Sequence, residues 1–162
     1  MERTLVLIKP DGVKRQLVGR ILQRFEDAGM KLVAMKLRQV TEAHALGHYT
    51  EELAQRRGEH VRKRMVDFLQ TGPVLALVLE GVSVIENVRK IVGATEPKAA
   101  LPGTIRGDFS HVSFAHADAQ AKGVENLIHA SADAADAERE VWHWFNEDEF
   151  SEYRTVHEAH TL

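Results

Sequence analysis

The run Val74 to Leu79 is the longest apolar stretch in the chain, and it limits the possible folds more than any other feature. Gly72-Pro73 introduces it and Gly81 closes it. A short apolar run bounded in this way reads as a buried strand, and residues 74 to 80 are expected at the centre of a sheet. Thr4 to Ile8 is a second such run, stopped by Lys9-Pro10-Asp11-Gly12, where proline and glycine predict a turn. Lys31 to Val40 and Val124 to Ala130 supply two further strand candidates. Helical spacing fills the intervals. From Val13 the apolar residues Leu17, Ile21, Leu22, Phe25 and Ala28 recur before Gly29, which suits a helix stop. Thr41 suits the cap of a short helix. Glu51 to Leu69 is expected as one helix with Val61, Met65, Phe68 and Leu69 inward and a basic outer face. Ser83-Val84-Ile85-Glu86 has the form of a capping box, opening a helix that ends near Gly93. Asp133 to Phe145 reads as the last helix. Residues 94 to 123 show no sustained period, which is long for a connection in a compact domain, and such loops are often functional.

This order predicts an α+β fold: a ferredoxin-like, split β-α-β arrangement, with an antiparallel four-stranded sheet and helices packed over one face. The 162 residues, 44% of them apolar, suit a single domain spanning 1–162. The chain has no cysteine, so neither a disulfide framework nor a thiolate metal site is available. No basic leader precedes the first strand, and no apolar run approaches the roughly 18 residues of a membrane span. A cytoplasmic setting without a membrane partner is therefore expected. A formal charge of -3 argues against a nucleic-acid partner, which calls for a basic excess.

No glycine-rich phosphate loop of either common spacing occurs, so any phosphate must be held by side chains. Lys9, Arg89 and Arg106 are the candidates, because guanidinium groups match phosphate oxygens in a fixed fork. Taken singly, each reads more simply as a surface charge. Among nine histidines, His44, His48, His60, His157 and His160 read as exposed. His111, His116 and Asp118 form a conceivable metal set, although a solvated loop is the simpler reading. His129 differs, because it ends an apolar strand and is followed by the small residues Ala130-Ser131. An imidazole held at one nitrogen is a competent nucleophile, and Glu140 on the next helix could orient it. On these residues alone, a buried core histidine is still the stronger reading.

The ordered set of motifs goes further. Thr4-Leu5-Val6-Leu7-Ile8-Lys9-Pro10-Asp11-Gly12-Val13, Gly72-Pro73, Arg89 with Gly93 and Thr95, Pro102-Gly103-Thr104-Ile105-Arg106-Gly107-Asp108 and Asn126-Leu127-Ile128-His129-Ala130-Ser131 together resemble the nucleoside diphosphate kinase family over nearly the whole chain. The resemblance implies a ferredoxin-like core, a homo-oligomer (hexamer or tetramer), and ping-pong transfer of phosphate from ATP or another nucleoside triphosphate to a diphosphate. It also implies Mg²⁺, carried by the nucleotide phosphates. By position, His129 matches the phosphorylated nucleophile, with Glu140 and Ser131 supporting it. Lys9 matches the cation at the transferring phosphate, with Tyr49 beside it. Arg89, Thr95 and Arg106 match the phosphate-holding residues, and Asn126, with Lys9, matches the residue at the sugar 3′-hydroxyl.

Three departures from the family pattern stand out. Ala130-Ser131-Ala132 replaces the usual Gly-Ser-Asp. The stretch from Tyr49 to Thr71 is longer, and Val61 takes the place of the aromatic that stacks on the base. The segment from Phe109 to Glu125 is also longer, which places residues 110 to 122 near the nucleotide or a subunit contact. Strand parity adds a constraint: Asn126 and His129 are three apart, so a bulge, or a strand starting after Asn126, must bring them to one side. A non-catalytic RNA-binding sheet is the rival from another class. It relies on exposed strand aromatics, which these strands lack.

Overall fold

The computed structural model describes residues 1–160; Thr161 and Leu162, the end of the expected 1–162 domain, lie outside the described residues. Four strands, β1 (Glu2–Ile8), β2 (Lys31–Gln39), β3 (Pro73–Gly81) and β4 (Ile128–Ala130), form one antiparallel sheet in the order β2-β3-β1-β4. β3 lies between β1 and β2, and β1 between β3 and β4, which is the split β-α-β topology expected. Registry is continuous from Glu2↔Gly81 to Ile8↔Leu75, while β2 shifts register against β3 between Leu32 and Ala34.

Helices cover both faces, not the one face expected. Leu5 and Leu7 pack with Val33, Ala45, Val66, Val141 and Trp144, whereas Val6 and Ile8 pack with Ile21, Phe25, Leu77, Val88 and Ile105. The reason lies in the strands themselves. Residues 4–8 and 74–79 are buried without interruption, and a strand that is apolar at both parities must be covered on both sides.

The helices are α1 (Pro10–Lys14), α2 (Val18–Glu26), α3 (Glu42–His48), α4 (Glu51–Arg57), α5 (Glu59–Leu69), α6 (Val84–Val92), α7 (Ile105–Phe109), α8 (Phe114–Ala119), α9 (Ala134–Trp144) and α10 (Val156–His160). Several differ from the sequence reading. Lys9-Pro10-Asp11-Gly12 is not a plain turn but the start of α1, with Pro10 in the first turn, where its missing N–H costs nothing. The expected helix 51–69 breaks at Gly58, whose φ of 93° suits glycine. The break resets the helical phase, so α5 buries Arg62, Val66 and Leu69, while Val61, Met65 and Phe68 are only half-buried. The buried Arg62 Nε donates to the Tyr49 carbonyl at 2.7 Å. No capping box forms at Ser83, which has left-handed backbone (φ 47°) and no side-chain cap. The aperiodic segment 94–123 holds α7, α8 and a 3-10 turn at Pro97–Ala99, each too short to show a period.

The fourth strand is shorter than expected and starts after Asn126. Leu127, fully buried, has φ 70°. Two bonds hold this left-handed residue: its N–H donates to Asp11 Oδ2 at 2.9 Å and its carbonyl accepts from the Lys9 N–H at 2.8 Å. A left-handed leucine costs about 1–2 kcal/mol. It turns the chain so that Asn126 and His129 need not obey strand parity. Gly12 fits against this bend, where a Cβ would lie 2.7 Å from Ile8 Cγ2 and 3.1 Å from the Leu127 carbonyl.

Candidate active site

His129 lies on the edge strand β4, opposite Leu7 of β1. Its Nε2 is 2.9 Å from Glu140 Oε2, which also accepts from Ser131 Oγ at 2.7 Å. Glu140 comes from α9, whose start is fixed by Asp133 accepting from the Asp136 N–H. Ser131 is fully buried and accepts from the Leu5 N–H at 3.3 Å. Burial alone pushes the Glu140 carboxyl up, but the His129 charge and hydrogen bond, with help from His48 and Ser131, outweigh it and bring it down to about 2. Glu140 is therefore a carboxylate at neutral pH and fixes the His129 ring through Nε2.

His48 was expected at the surface, yet it is 3% exposed, and its ring stands edge-on to His129 at 4.5 Å. Its Nδ1 accepts from Trp144 Nε1 at 3.3 Å. Burial, with the neighbouring His129, holds it well below the usual imidazole range and therefore neutral. His44 was likewise read as exposed, but it is half-buried and stacks on His143 at 4.2 Å. The signal was present: 44 and 48 share a face of α3, beside the buried Ala45.

A cleft of about 370 Å³ opens over His129 and is lined by Tyr49, Arg56, Arg57, Arg89, Thr95, Arg106, Arg139 and Glu140, among others. Of the residues singled out from sequence, it brings together His129, Glu140, Tyr49, Arg89, Thr95 and Arg106. Arg56, Arg57 and Arg139 were not singled out; in the sequence, α4 offers only a basic helix face. Arg106 sits at the back of the cleft, with Nε donating to the Asn126 carbonyl at 3.2 Å, Nη1 to Gly93 at 3.1 Å and Nη2 to Ile128 at 2.6 Å. These bonds use three of its five N–H groups, so two remain for a ligand. Burial and the nearby Arg89 lower it to about 10, which still leaves it charged at neutral pH.

Asn126 and Val61 do not line the cleft. They line an adjoining cavity of about 390 Å³. Asn126 Nδ2 donates to the Thr95 carbonyl at 2.8 Å, while its buried Oδ1 has no partner. Lys9 is buried behind the site, its Nζ 5.3 Å from the Phe68 ring centre. Burial, and to a smaller degree Arg106, lower it to about 8 against the raising effect of Asp11 and Glu125. Burial raises the Tyr49 hydroxyl above its ordinary value, so it stays protonated.

His111 and His116 are exposed, and Asp118 pairs with Arg64 at 3.1 Å, so the conceivable metal set is not assembled. Among the described residues the one group with metal-ligand spacing is His48, His129 and Glu140. A larger cavity of about 480 Å³ lies toward the other end of the sheet, but its Lys31 is neutralised by Glu80 and Glu158. Among the described residues no helix is long and apolar enough to cross a membrane.

Fold and cleft together define a ferredoxin-like α+β protein with a histidine–carboxylate pair beneath an arginine rim. Comparison with known proteins narrows this class. The family model for nucleoside diphosphate kinase matches residues 2–150. The nucleoside diphosphate kinase of Borreliella burgdorferi is 46% identical over 155 residues, covering 95% of this chain and 93% of the relative. That of Thermus thermophilus is 48% identical over 149 residues, covering 92% and 98%. A solved structure of the Borrelia burgdorferi enzyme, a transition-state mimic with bound vanadate and ADP, superposes with a TM-score of 0.95 at 45% identity, covering 98% of this chain and 95% of that one. The chain belongs to the nucleoside diphosphate kinase family, a family of transferases, as its motifs implied.

Proposed function

We propose that this chain moves phosphate from ATP and other nucleoside triphosphates to nucleoside diphosphates through a phosphohistidine on His129. The observation that supports it best is the Ser131–Glu140–His129 chain beneath the arginine-rimmed cleft. With the Nε2–H given to Glu140, the neutral ring keeps its lone pair on Nδ1. That pair attacks the γ-phosphorus. An N–P bond forms as the bond to the bridging oxygen breaks, and the electron pair leaves with the diphosphate. A terminal oxygen of a second diphosphate then attacks the same phosphorus, and the N–P pair returns to Nδ1. Such transfer needs placement and positive charge more than covalent help. Arg89, Thr95 and Arg106 hold the phosphates, and Lys9, with Tyr49, neutralises the transferring group. Mg²⁺ would be held by the phosphate oxygens of the nucleotide and would supply further positive charge beside the transferring group. The chain's own candidate ligands, His129 Nε2 and Glu140 Oε2, are already bonded to each other.

Incubation with γ-labelled ATP and Mg²⁺ is the direct test. Label should become protein-bound, acid-labile and base-stable, and should pass to added diphosphates; a protein that takes up no such label overturns the reading. The chain acts as one cytoplasmic domain, 1–162, in a homo-oligomer, hexamer or tetramer. Exposed Met35 and Leu37 on the edge strand β2 support the oligomer, which light scattering would detect.

Two further outcomes follow from this reading. Lys9, lowered to about 8, is charged below that pH and neutral above it. The free enzyme, reported by kcat/KM, should therefore lose activity as pH rises through about 8. Bound phosphate stabilises the cation, so the limb in kcat should lie at higher pH. A kcat/KM profile that stays flat well above pH 8 would remove Lys9 as a required cation. The second outcome concerns the unpartnered Asn126 Oδ1, an acceptor suited to the sugar 3′-hydroxyl. If that hydroxyl also assists the departing oxygen, 3′-deoxynucleotides should lose kcat by more than one ordinary hydrogen bond of about 1 kcal/mol explains. Asn126→Ala should shrink the difference, and zero coupling in the double-mutant cycle would release Asn126 from the role.

A further inference from the structure

The apolar cavity beside the cleft is continuous with it. Leu53, Arg56, Arg57, Met65 and Thr95 line both. Its volume of about 390 Å³ falls within the range of small-ligand sites. A ligand whose phosphates lie against Arg89 and Arg106 therefore extends its other end between Leu53, Val61, Met65 and Phe114. Phe114 is the one aromatic side chain on this wall among the described residues. It comes from the longer segment after Phe109.

Phe114 is held in place from several directions. It opens α8, which Ser113 caps by accepting from the His116 N–H at 3.1 Å. Its own N–H donates to Glu96 Oε1 at 2.8 Å, and the preceding Val112 carbonyl accepts from the Lys98 N–H at 3.1 Å. Further along α8, Asp118 pairs with Arg64 of α5 at 3.1 Å. α8 thus ties the segment around Thr95 to α5 beside the cavity. The returning chain is pressed against α5 as well, because a Cβ on Gly123 would lie 3.1 Å from the Arg64 carbonyl.

Building on the nucleotide reading above, we propose that Phe114 supplies the aromatic surface on which the nucleobase stacks, and that it makes this site favour purine over pyrimidine nucleotides. Stacking on an aromatic face accepts every base, since each has a π-face, and it strengthens with the area of overlap. A purine presents two fused rings where a pyrimidine presents one. The other apolar wall residues are aliphatic and give no such gradation. The base lies far from the reacting phosphorus and is held equally in ground and transition states, so the preference should appear in KM rather than kcat.

The test measures exchange with GDP and with CDP as acceptors in the wild type, Phe114→Leu and Phe114→Trp. Leucine keeps an apolar side chain without the ring. Phe114→Leu should raise KM for GDP about tenfold and for CDP by no more than about threefold, with kcat unchanged for both. Phe114→Trp should restore the preference. Equal changes for the two bases, or no change, would overturn the assignment. Should the leucine variant fail to fold, the wild type still decides, because equal KM for GDP and CDP is incompatible with the proposal. Labelling with γ-labelled ATP separates the two levels. A wild type that forms no phosphohistidine overturns the transfer reading, whereas one that labels normally but is blind to the base overturns only the role of Phe114.

Discussion

His129→Ala should fold and should transfer no phosphate: labelling from γ-labelled ATP should vanish and exchange should fall by roughly 10⁶-fold, the scale seen when a nucleophile is removed. The structure separates the two effects. His129 is on an edge strand with its side chain 24% exposed, and its ring makes one hydrogen bond, to Glu140. Glu140 keeps Ser131 Oγ as a donor after the change, so the loss of stability should stay near 1–2 kcal/mol. The acid side should change too. A carboxyl brought down from 4.5 to about 2 in the fold contributes stability that is full above 4.5 and lost as pH falls toward 2. His129 is the main cause of that depression. Without it, Glu140 contributes less of this pH dependence, and stability should fall less steeply across that window. Normal labelling of His129→Ala would place the phosphate elsewhere.

Arg106→Ala should cost both activity and stability, whereas Arg89→Ala should cost activity alone. Both arginines match phosphate-holding residues, and the structure gives Arg106 a structural part as well. Its three bonds to the carbonyls of Gly93, Asn126 and Ile128 hold together the helix end, the bend and the strand that frame the cleft. Truncation removes this donor from the Gly93 and Ile128 carbonyls, at about 1–3 kcal/mol for each buried group left unsatisfied, while the Asn126 carbonyl keeps the Ile128 N–H at 2.8 Å. Loss of the charge should lower turnover by a further 10²–10³-fold, the range for removing one preorganised donor. Arg89 is exposed on α6, so its replacement should leave the unfolding midpoint unchanged while turnover falls. Denaturant unfolding beside steady-state kinetics reads both, and a fully stable Arg106→Ala protein would contradict the structural half.

The contrast between these arginines shows what the sequence could disclose. Residue types and order disclosed the strands, the place of His129 on the last of them and most of the cleft lining, because apolar runs and motif spacing are local properties. Both-sided burial of β1 and β3 was implicit in their unbroken apolar runs. His48 was missed because a histidine in a polar stretch looks solvated until α9 is seen to cover it. The second role of Arg106 was hidden because carbonyl acceptors are present in every residue and leave no trace in composition. Phe114 lay in a segment whose helix is too short to repeat a pattern, so neither its confinement nor its neighbours could be read.

The clamp on Leu127 has a bearing on how the protein comes into being. Residues 9 to 11 hold both peptide groups of a residue more than a hundred positions later, and β1 takes β4 as its outer neighbour. β1, made before the other strands of its sheet, therefore remains half-paired until the chain past His129 has emerged. Contacts this distant in sequence close slowly, and no fragment ending before them can hold His129 in place. Catalytic competence should thus arise late and abruptly during synthesis, which makes phosphohistidine formation a sensitive reporter of complete folding.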